Sequence, residues 1–378
     1  MALDAGERPL AETISLTNVW QFDSPESASA ALSGETSAHV YRRVTHPNER
    51  NLATKLAALH GAPRAVVTAQ GMSATSALAL AILRPQAEVW IGHELYGETS
   101  KLFQSNLAQW QITTRVFDPC RDDHLAELAD SQSALTFIET LTNPRLRVPN
   151  IAAVAQATHQ AGGRLAVDNT FATHLLCRPL QHGADFVVES LGKQVNGHSD
   201  AMLGLICGRD ELAVASVADT VKTMGWASSP MDCYLTHRGL LSLAVRMERA
   251  CSNAQALAQA LADCAAVEGV DYPGLASHAN HSTANEQLVG GYGWMLSFHV
   301  PPDRHGVAQL FAGLRPEISF APSLGDASTT LSHPLSTSHR SLSADDLARL
   351  GIQHGTIRVS CGLEPTQWLV ERFLSALR

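Results

Sequence analysis

Between residues 51 and 207 two textures alternate along the chain. Apolar residues recur at helical spacing over 51–60, 72–83 and 151–160. Short, almost continuous apolar runs lie at 64–68, 88–91, 113–117, 134–139, 164–167, 185–188 and 202–207. Strands apolar on both faces and separated by helices predict a mostly parallel sheet covered on both sides, an α/β fold. Ligands in such sheets bind beyond the carboxyl ends of the strands, where Asn143, Asp168 and Ser190 fall. After Gly225 the texture changes. A long helical region is predicted over 234–264, with Leu235, Leu240, Leu241, Leu243 and Met247 as its apolar stripe. Strands at 294–300, 318–320 and 357–360, with helices at 305–314 and 367–377, complete a smaller α+β unit. Residues 1–46 are polar, with Val19, Trp20 and Tyr41 as isolated anchors, and read as an arm laid over another surface, such as a neighbouring subunit. The expected organisation is an arm (1–46), a large domain (47–225) and a C-terminal domain (226–378).

Composition narrows the class of protein. The 378 residues are 45% hydrophobic and 17% charged, enough for real cores in both domains. A net charge of −9 argues against nucleic acid or an anionic membrane as the main partner. No apolar run reaches the length of a membrane span, and residues 1–15 lack a basic-then-apolar signal pattern. The seven cysteines are scattered without a CxxC pair, which fits reduced thiols in the cytoplasm. The 17 histidines form neither an HExxH motif nor a tight Cys/His cluster, so no metal site is expected.

The chemistry concentrates around Ser190-Leu-Gly-Lys-Gln-Val-Asn-Gly-His-Ser-Asp200. Lys193 follows an apolar run directly, and desolvation at the mouth of a buried strand disfavours its ammonium form. The amine becomes a usable nucleophile near neutral pH, suited to a Schiff base. Asp168 ends another apolar run, in Ala166-Val-Asp-Asn-Thr-Phe171. Lysine plus buried aspartate is the pair pyridoxal 5'-phosphate requires, the amine for its aldehyde and the carboxylate for its pyridine nitrogen. Either residue alone is an ordinary strand end.

Other segments supply what a phosphate and an amino acid need. Gln70-Gly-Met-Ser73 lies where a strand gives way to an Ala-rich helix, and backbone N–H groups at a helix start bind phosphate. Tyr41 and Arg43 place a phenol and a forked donor in the arm. Tyr96 follows a strand and could stack on a cofactor ring. Arg358 interrupts the apolar strand Thr356-Ile-Arg-Val-Ser360, a costly place for a cation without a carboxylate, from the substrate or from the protein.

In order, these segments resemble the cystathionine γ-synthase family, the Cys/Met-metabolism group of fold-type I pyridoxal-phosphate enzymes. The resemblance runs from about residue 14 to the C-terminus. It is carried by Tyr41-x-Arg43 with Pro47, Gly71-Met72, Tyr96-Gly97 with Thr99, Glu139-Thr-x-Thr-Asn-Pro144 and Val167-Asp-Asn-Thr-Phe-Ala172. Ser190-x-x-Lys193, Gly197-His-Ser-Asp200, Arg238-Gly239, Arg246-Met247, Ser323-Leu-Gly325, His333-Pro334 and Ile357-Arg-Val-Ser360 extend it. The fold implied is the aspartate aminotransferase-like one. The resemblance further implies that Lys193 carries the cofactor as a Schiff base and later moves protons, while Asp168 pairs with the pyridine nitrogen. Asn143 would meet the ring hydroxyl, and Tyr96 would stack on the ring and act on the incoming amine. Gly71, Met72 and Ser190 would hold the phosphate, with Tyr41 and Arg43 reaching in from an adjacent subunit of a homodimer or homotetramer. Arg358 and Ser323 would hold the substrate carboxylate.

The chain also departs from the family pattern. Gly192 replaces the usual threonine before the lysine, His46-Pro-Asn48 replaces Asn-Pro-Thr, and Gln70 replaces a serine. Pro322 stands where γ-synthases and γ-lyases carry a glutamate, and Glu98 where methionine γ-lyases carry a cysteine. The expected activity is trans-sulfuration chemistry at Cβ or Cγ of a sulfur amino acid, foremost a C–S lyase of the cystathionine γ-lyase kind. The alternatives are γ-replacement on a homoserine ester and a non-catalytic, cofactor-binding regulatory role.

Overall fold

A seven-stranded sheet carries the N-terminal half of the computed structural model, which describes residues 9–302, 304–340 and 343–378. Residues 1–8 of the expected arm lie outside the described residues. The strands are β1 (Arg64–Thr68), β2 (Glu88–Gly92), β3 (Thr113–Phe117), β4 (Ser133–Glu139), β5 (Arg164–Asp168), β6 (Phe186–Ser190) and β7 (Gly204–Gly208). Their order is β1-β7-β6-β5-β4-β2-β3. The β3-β2-β4-β5-β6 run is parallel, while β7 is antiparallel to both β1 and β6. A parallel neighbour needs a crossover, usually helical, and the 191–203 link holds none, so the chain turns straight back.

The apolar runs are continuous because both faces of the sheet are covered. Along β4, Phe137 packs with the helices Gly71–Ile82 and Glu211–Met224, whereas Ile138 faces the opposite core with Leu52 and Val154. That second core continues without a break into the C-terminal half. Trp294 there donates its Nε1–H to the Phe171 carbonyl at 2.8 Å. The C-terminal sheet runs β10-β11-β12-β9-β8, from β8 (Gly269–Asp271), β9 (Met295–His299), β10 (Ser319–Phe320), β11 (Thr330–Ser332) and β12 (Thr356–Ser360). Among the described residues, no helix is long and apolar enough to cross a membrane.

Three local expectations are revised. The helix over 234–264 is two, Pro230–Leu240 and Leu243–Ala262. The chain bends between them where Gly239 passes the 196 carbonyl so closely that a Cβ would sit 2.3 Å from it. Leu241, at that bend, is 75% exposed and leaves the apolar stripe. The polar arm contains a helix, Pro25–Leu32, started by a reciprocal Ser24–Ser27 capping box. His46-Pro-Asn48 is a helix start: His46 Nδ1 accepts from the Glu49 N–H, and buried Asn48 binds the arm through the Thr13 carbonyl and Glu12. Gln287 and the helix His281–Gln287 carry no sequence signal that periodicity could read.

One buried cation holds the loop that follows Lys193. Arg246 donates to the carbonyls of Gln194, Val195 and Gly239, to Gln194 Oε1 and to Ser242 Oγ. Its removal strands three carbonyls in a dry interior. Arg246→Met is therefore expected to lower the unfolding free energy by about 2–4 kcal/mol, read by urea denaturation, with Arg246→Lys falling between it and wild type. No change in the Met variant would refute the clamp.

Candidate active site

At the carboxyl end of the parallel strands a cavity of about 480 Å³ opens between the two halves of the chain. Its walls gather most of the residues singled out from the sequence: Gly71, Met72, Tyr96, Asn143, Asp168, Ser190, Lys193, Ser323 and Arg358. Strand ends supply Asp168, Ser190 and, just beyond, Lys193; β12 supplies Arg358 from the far sheet. Tyr41 and Arg43 do not line it. Tyr41 is 43% exposed and bridges to Val19, and Arg43 donates to the Lys222 carbonyl at 3.0 Å.

Lys193 Nζ lies 3.1 Å from Ser323 Oγ. Burial, and secondarily the Arg358 charge, lowers its pKa, so the free amine is easier to reach than in water. Asp168 accepts the Thr170 N–H at 2.9 Å, but burial outweighs that bond and pushes its pKa up to about 6. A protonated ring nitrogen beside it would supply the missing compensation. Arg358 is 3% exposed and reaches Asn143 Oδ1 at 2.6 Å and Ser332 Oγ at 3.0 Å. Burial lowers its pKa to about 10, opposed by Glu139 and Tyr96, so it remains a cation at neutral pH. Asn143 spends its carbonyl oxygen on Arg358, which leaves its amide N–H groups for a ring hydroxyl.

The phosphate end is equally readable. The helix Gly71–Ile82 begins at Gln70, whose side chain makes no capping bond, so the first N–H groups stay open to an anion. Gly71 passes Ser190 so closely that a Cβ would sit 2.9 Å from the Ser190 Cβ. Only glycine lets this backbone into the corner. Gly192 has a similar reason: a Cβ there would sit 2.6 Å from the Ala201 carbonyl oxygen. The threonine usual at that position has no room. Sequence reasoning left Thr170 and Glu139 without roles although both stand inside the family motifs. Thr170 Oγ1 accepts the Ser190 N–H at 2.8 Å, and Glu139 accepts the Tyr96 N–H. Thr99 and Ser199, both inside the family motifs but given no role, also line the cavity, as do Met202 and Ser338, which no motif marks.

A lysine amine, a buried carboxyl, an open helix start and a buried guanidinium together fit pyridoxal 5'-phosphate and an amino acid's carboxylate. Fold and donor set thus define a fold-type I pyridoxal-phosphate enzyme. The family model for Cys/Met metabolism PLP-dependent enzymes matches residues 3–378, and the chain belongs to that family. It is 36% identical to O-succinylhomoserine sulfhydrylase of Pseudomonas aeruginosa, over 96% of this chain and 91% of that protein. It is 35% identical to cystathionine gamma-lyase of Rattus norvegicus, over 97% and 89%. Among solved structures, cystathionine gamma synthase from Xanthomonas oryzae pv. oryzae in complex with cystathionine superposes with a TM-score of 0.92 at 32% identity, covering 97% of this chain and 92% of that one.

The raised pKa of Asp168 has a consequence for stability. Folded, the carboxyl holds its proton up to about pH 6; unfolded, it releases it near 3.8. As pH rises between those values the unfolded state loses its proton first, so the cofactor-free protein loses stability and does not regain it above pH 6. Cofactor-free Asp168→Asn escapes that loss. At pH 8 it is expected to be about 3 kcal/mol more stable than the cofactor-free wild type, read by urea denaturation, with the gap closing toward pH 4. An equal gap at both pH values would contradict the assignment.

Proposed function

We propose that this enzyme is a C–S lyase acting at Cγ of a sulfur amino acid, of the cystathionine γ-lyase kind. The observation that carries this reading is Lys193, an amine whose pKa burial lowers, inside a cavity that also holds Asp168 and Arg358. Bound there, pyridoxal 5'-phosphate supplies an electron sink for the carbanion at Cα. Arg358, fixed by Asn143 and Ser332, takes the substrate α-carboxylate and, with Ser323, turns Cα–H toward Lys193 Nζ. With the cofactor bound, the Lys193 amine would remove the Cα proton and then a Cβ proton. The Cβ–H electron pair would expel the γ-thiolate, which leaves as a thiol on taking one proton, and the other would return to Cγ. Asp168 holds the ring nitrogen protonated, and Gly71, Met72 and Ser190 hold the phosphate at the helix start. Tyr96, half exposed at the rim, covers the ring and exchanges protons with the incoming amine.

The same reading makes the active unit a homodimer or homotetramer in the cytoplasm. Tyr41 and Arg43 lie outside their own cavity and exposed, where they can enter a neighbour's and add a phenol and a guanidinium to its phosphate. A second reading, γ-replacement on a homoserine ester, is favoured by Pro322 and Ser323. Both are exposed at the cavity mouth, which leaves a path for an incoming thiol. The 36% identical sulfhydrylase supports it too. Elimination and replacement share every step up to loss of the γ-substituent.

The test is product identification by mass spectrometry after incubating the cofactor-loaded protein with L-cystathionine. Cysteine, 2-oxobutanoate and ammonia are expected, and Lys193→Ala should form none. Homocysteine with pyruvate would move the cleavage to Cβ. If cystathionine survives while O-acylhomoserine plus sulfide gives homocysteine, replacement is the activity.

A further inference from the structure

Residues Glu139 to Asn143 leave β4 along the edge of the cavity, and four of the five bond to other parts of the fold. Thr140 Oγ1 donates to Asn169 Oδ1 at 2.7 Å, beside Asp168. Thr142 Oγ1 donates to Glu94, and Asn143 accepts from Arg358. Glu139 Oε1 accepts the backbone N–H of Tyr96 at 2.7 Å. The turn that carries Tyr96 is therefore tied to this segment in both directions, once through Glu94 and once through Glu139. Glu139 is 7% exposed, lines the cavity and stands in register with Asp168 on the adjacent strand. None of the roles above uses it.

We propose that Glu139 is a positioning residue: it fixes the turn at Tyr96 so that the phenol ring meets the cofactor in one orientation. This rests on the cofactor reading above. The charged groups facing Glu139 are Asp168 from β5, Glu94 from the turn after β2 and Arg358 from β12. Burial first, then the Asp168 charge, holds its pKa well above the usual carboxylate range, and Glu94 adds to this. Arg358 opposes them while bonded to Asn143. Burial therefore favours the uncharged form of Glu139. One oxygen accepts from Tyr96, and Asp168 is left as the carboxylate that answers the ring nitrogen.

Three variants, each also made in a Tyr96→Ala background, test this. Glu139→Gln keeps the length, the neutral charge and the acceptor. Glu139→Leu removes the acceptor, and Glu139→Asp is one methylene too short to reach. The readouts are the dissociation constant for pyridoxal 5'-phosphate, titrated into cofactor-free protein, and the visible circular dichroism of the bound cofactor, with the far-ultraviolet spectrum reporting the fold. Glu139→Gln should bind within about twofold of wild type and keep the visible band over pH 6–9, since a neutral amide replaces a neutral acid. Glu139→Leu and Glu139→Asp should each weaken binding about tenfold, because the turn is no longer held and the Tyr96 ring loses its fixed orientation, and flatten that band. In Tyr96→Ala the same substitutions should add less than about twofold, because the residue they act through is gone. The proposal is overturned if Gln behaves as Leu, if Leu and Asp match wild type, or if the losses add in full without Tyr96. Should Leu fail to fold, Gln against Asp gives the same comparison. A wild-type protein that binds no cofactor, or a Lys193→Ala variant that keeps the wild-type visible band, would instead refute the cofactor reading itself.

Discussion

Two acids and two bases share one cavity, and burial shifts the pKa of all four toward the neutral form. Asp168 and Glu139 are pushed up, Lys193 and Arg358 down. Such an arrangement costs free energy in the cofactor-free protein and is stable only where the frame around it is rigid. The frame is the carboxyl edge of a sheet covered on both faces, with β4, β5 and β6 each ending in a residue of the site. The demands of the ligand and the demands of the empty cavity are complementary. In the proposed reading a ring nitrogen would answer Asp168, an aldehyde would consume the amine of Lys193, and a carboxylate would answer Arg358.

The remaining architecture serves to keep those groups in place. Arg246 fixes the loop after Lys193 by binding its carbonyls, so the amine is delivered from a segment with little freedom. The 139–143 segment joins the Tyr96 turn, the neighbour of Asp168 and the guanidinium of Arg358. Through that last bond the two sheets meet at the site: Asn143 comes after a strand of the first and Arg358 belongs to the second. Further from the chemistry, His60 and Glu189 form a buried pair at 3.3 Å, and Asn169 also donates to Glu189. This network lies directly behind Asp168, and Glu189 is among the groups that raise its pKa. The charge state of Asp168 thus depends in part on Glu189, a residue outside the cavity lining.

The relatives of this chain include both a sulfhydrylase and a γ-lyase. In this chain the mouth of the cavity is formed by Pro322, Ser323 and Met202, without an ionised side chain at those positions. Among the departures from the family pattern, Gln70 and Pro322 line the cavity, while Gly192, His46 and Asn48 fall where backbone packs on backbone or where the arm attaches. Gly192 is required by the Ala201 carbonyl, and His46 and Asn48 hold a helix start and the arm. These substitutions remodel supports and leave the lysine, aspartate and arginine untouched.

Much of this was legible in one dimension. A strand buried on both faces needs an unbroken apolar run, and a helix start or a strand-end lysine is specified by its immediate neighbours, so sheet, helices and the Lys193–Asp168 pair could be read directly. The spacing of motifs over the chain carried the family. Local pattern has no access to what packs against what. It could not show that β7 runs antiparallel, that the chain bends at Leu241, or that Tyr41 and Arg43 stand away from their own cavity. Nor could it give Glu139 and Thr170 partners. Asn143 and Arg358 are 215 residues apart, and their bond exists only once both sheets have folded around a common core. Periodicity decides which side of an element is buried; the meeting of distant polar atoms is decided by tertiary packing, because only there does losing water make a partner obligatory.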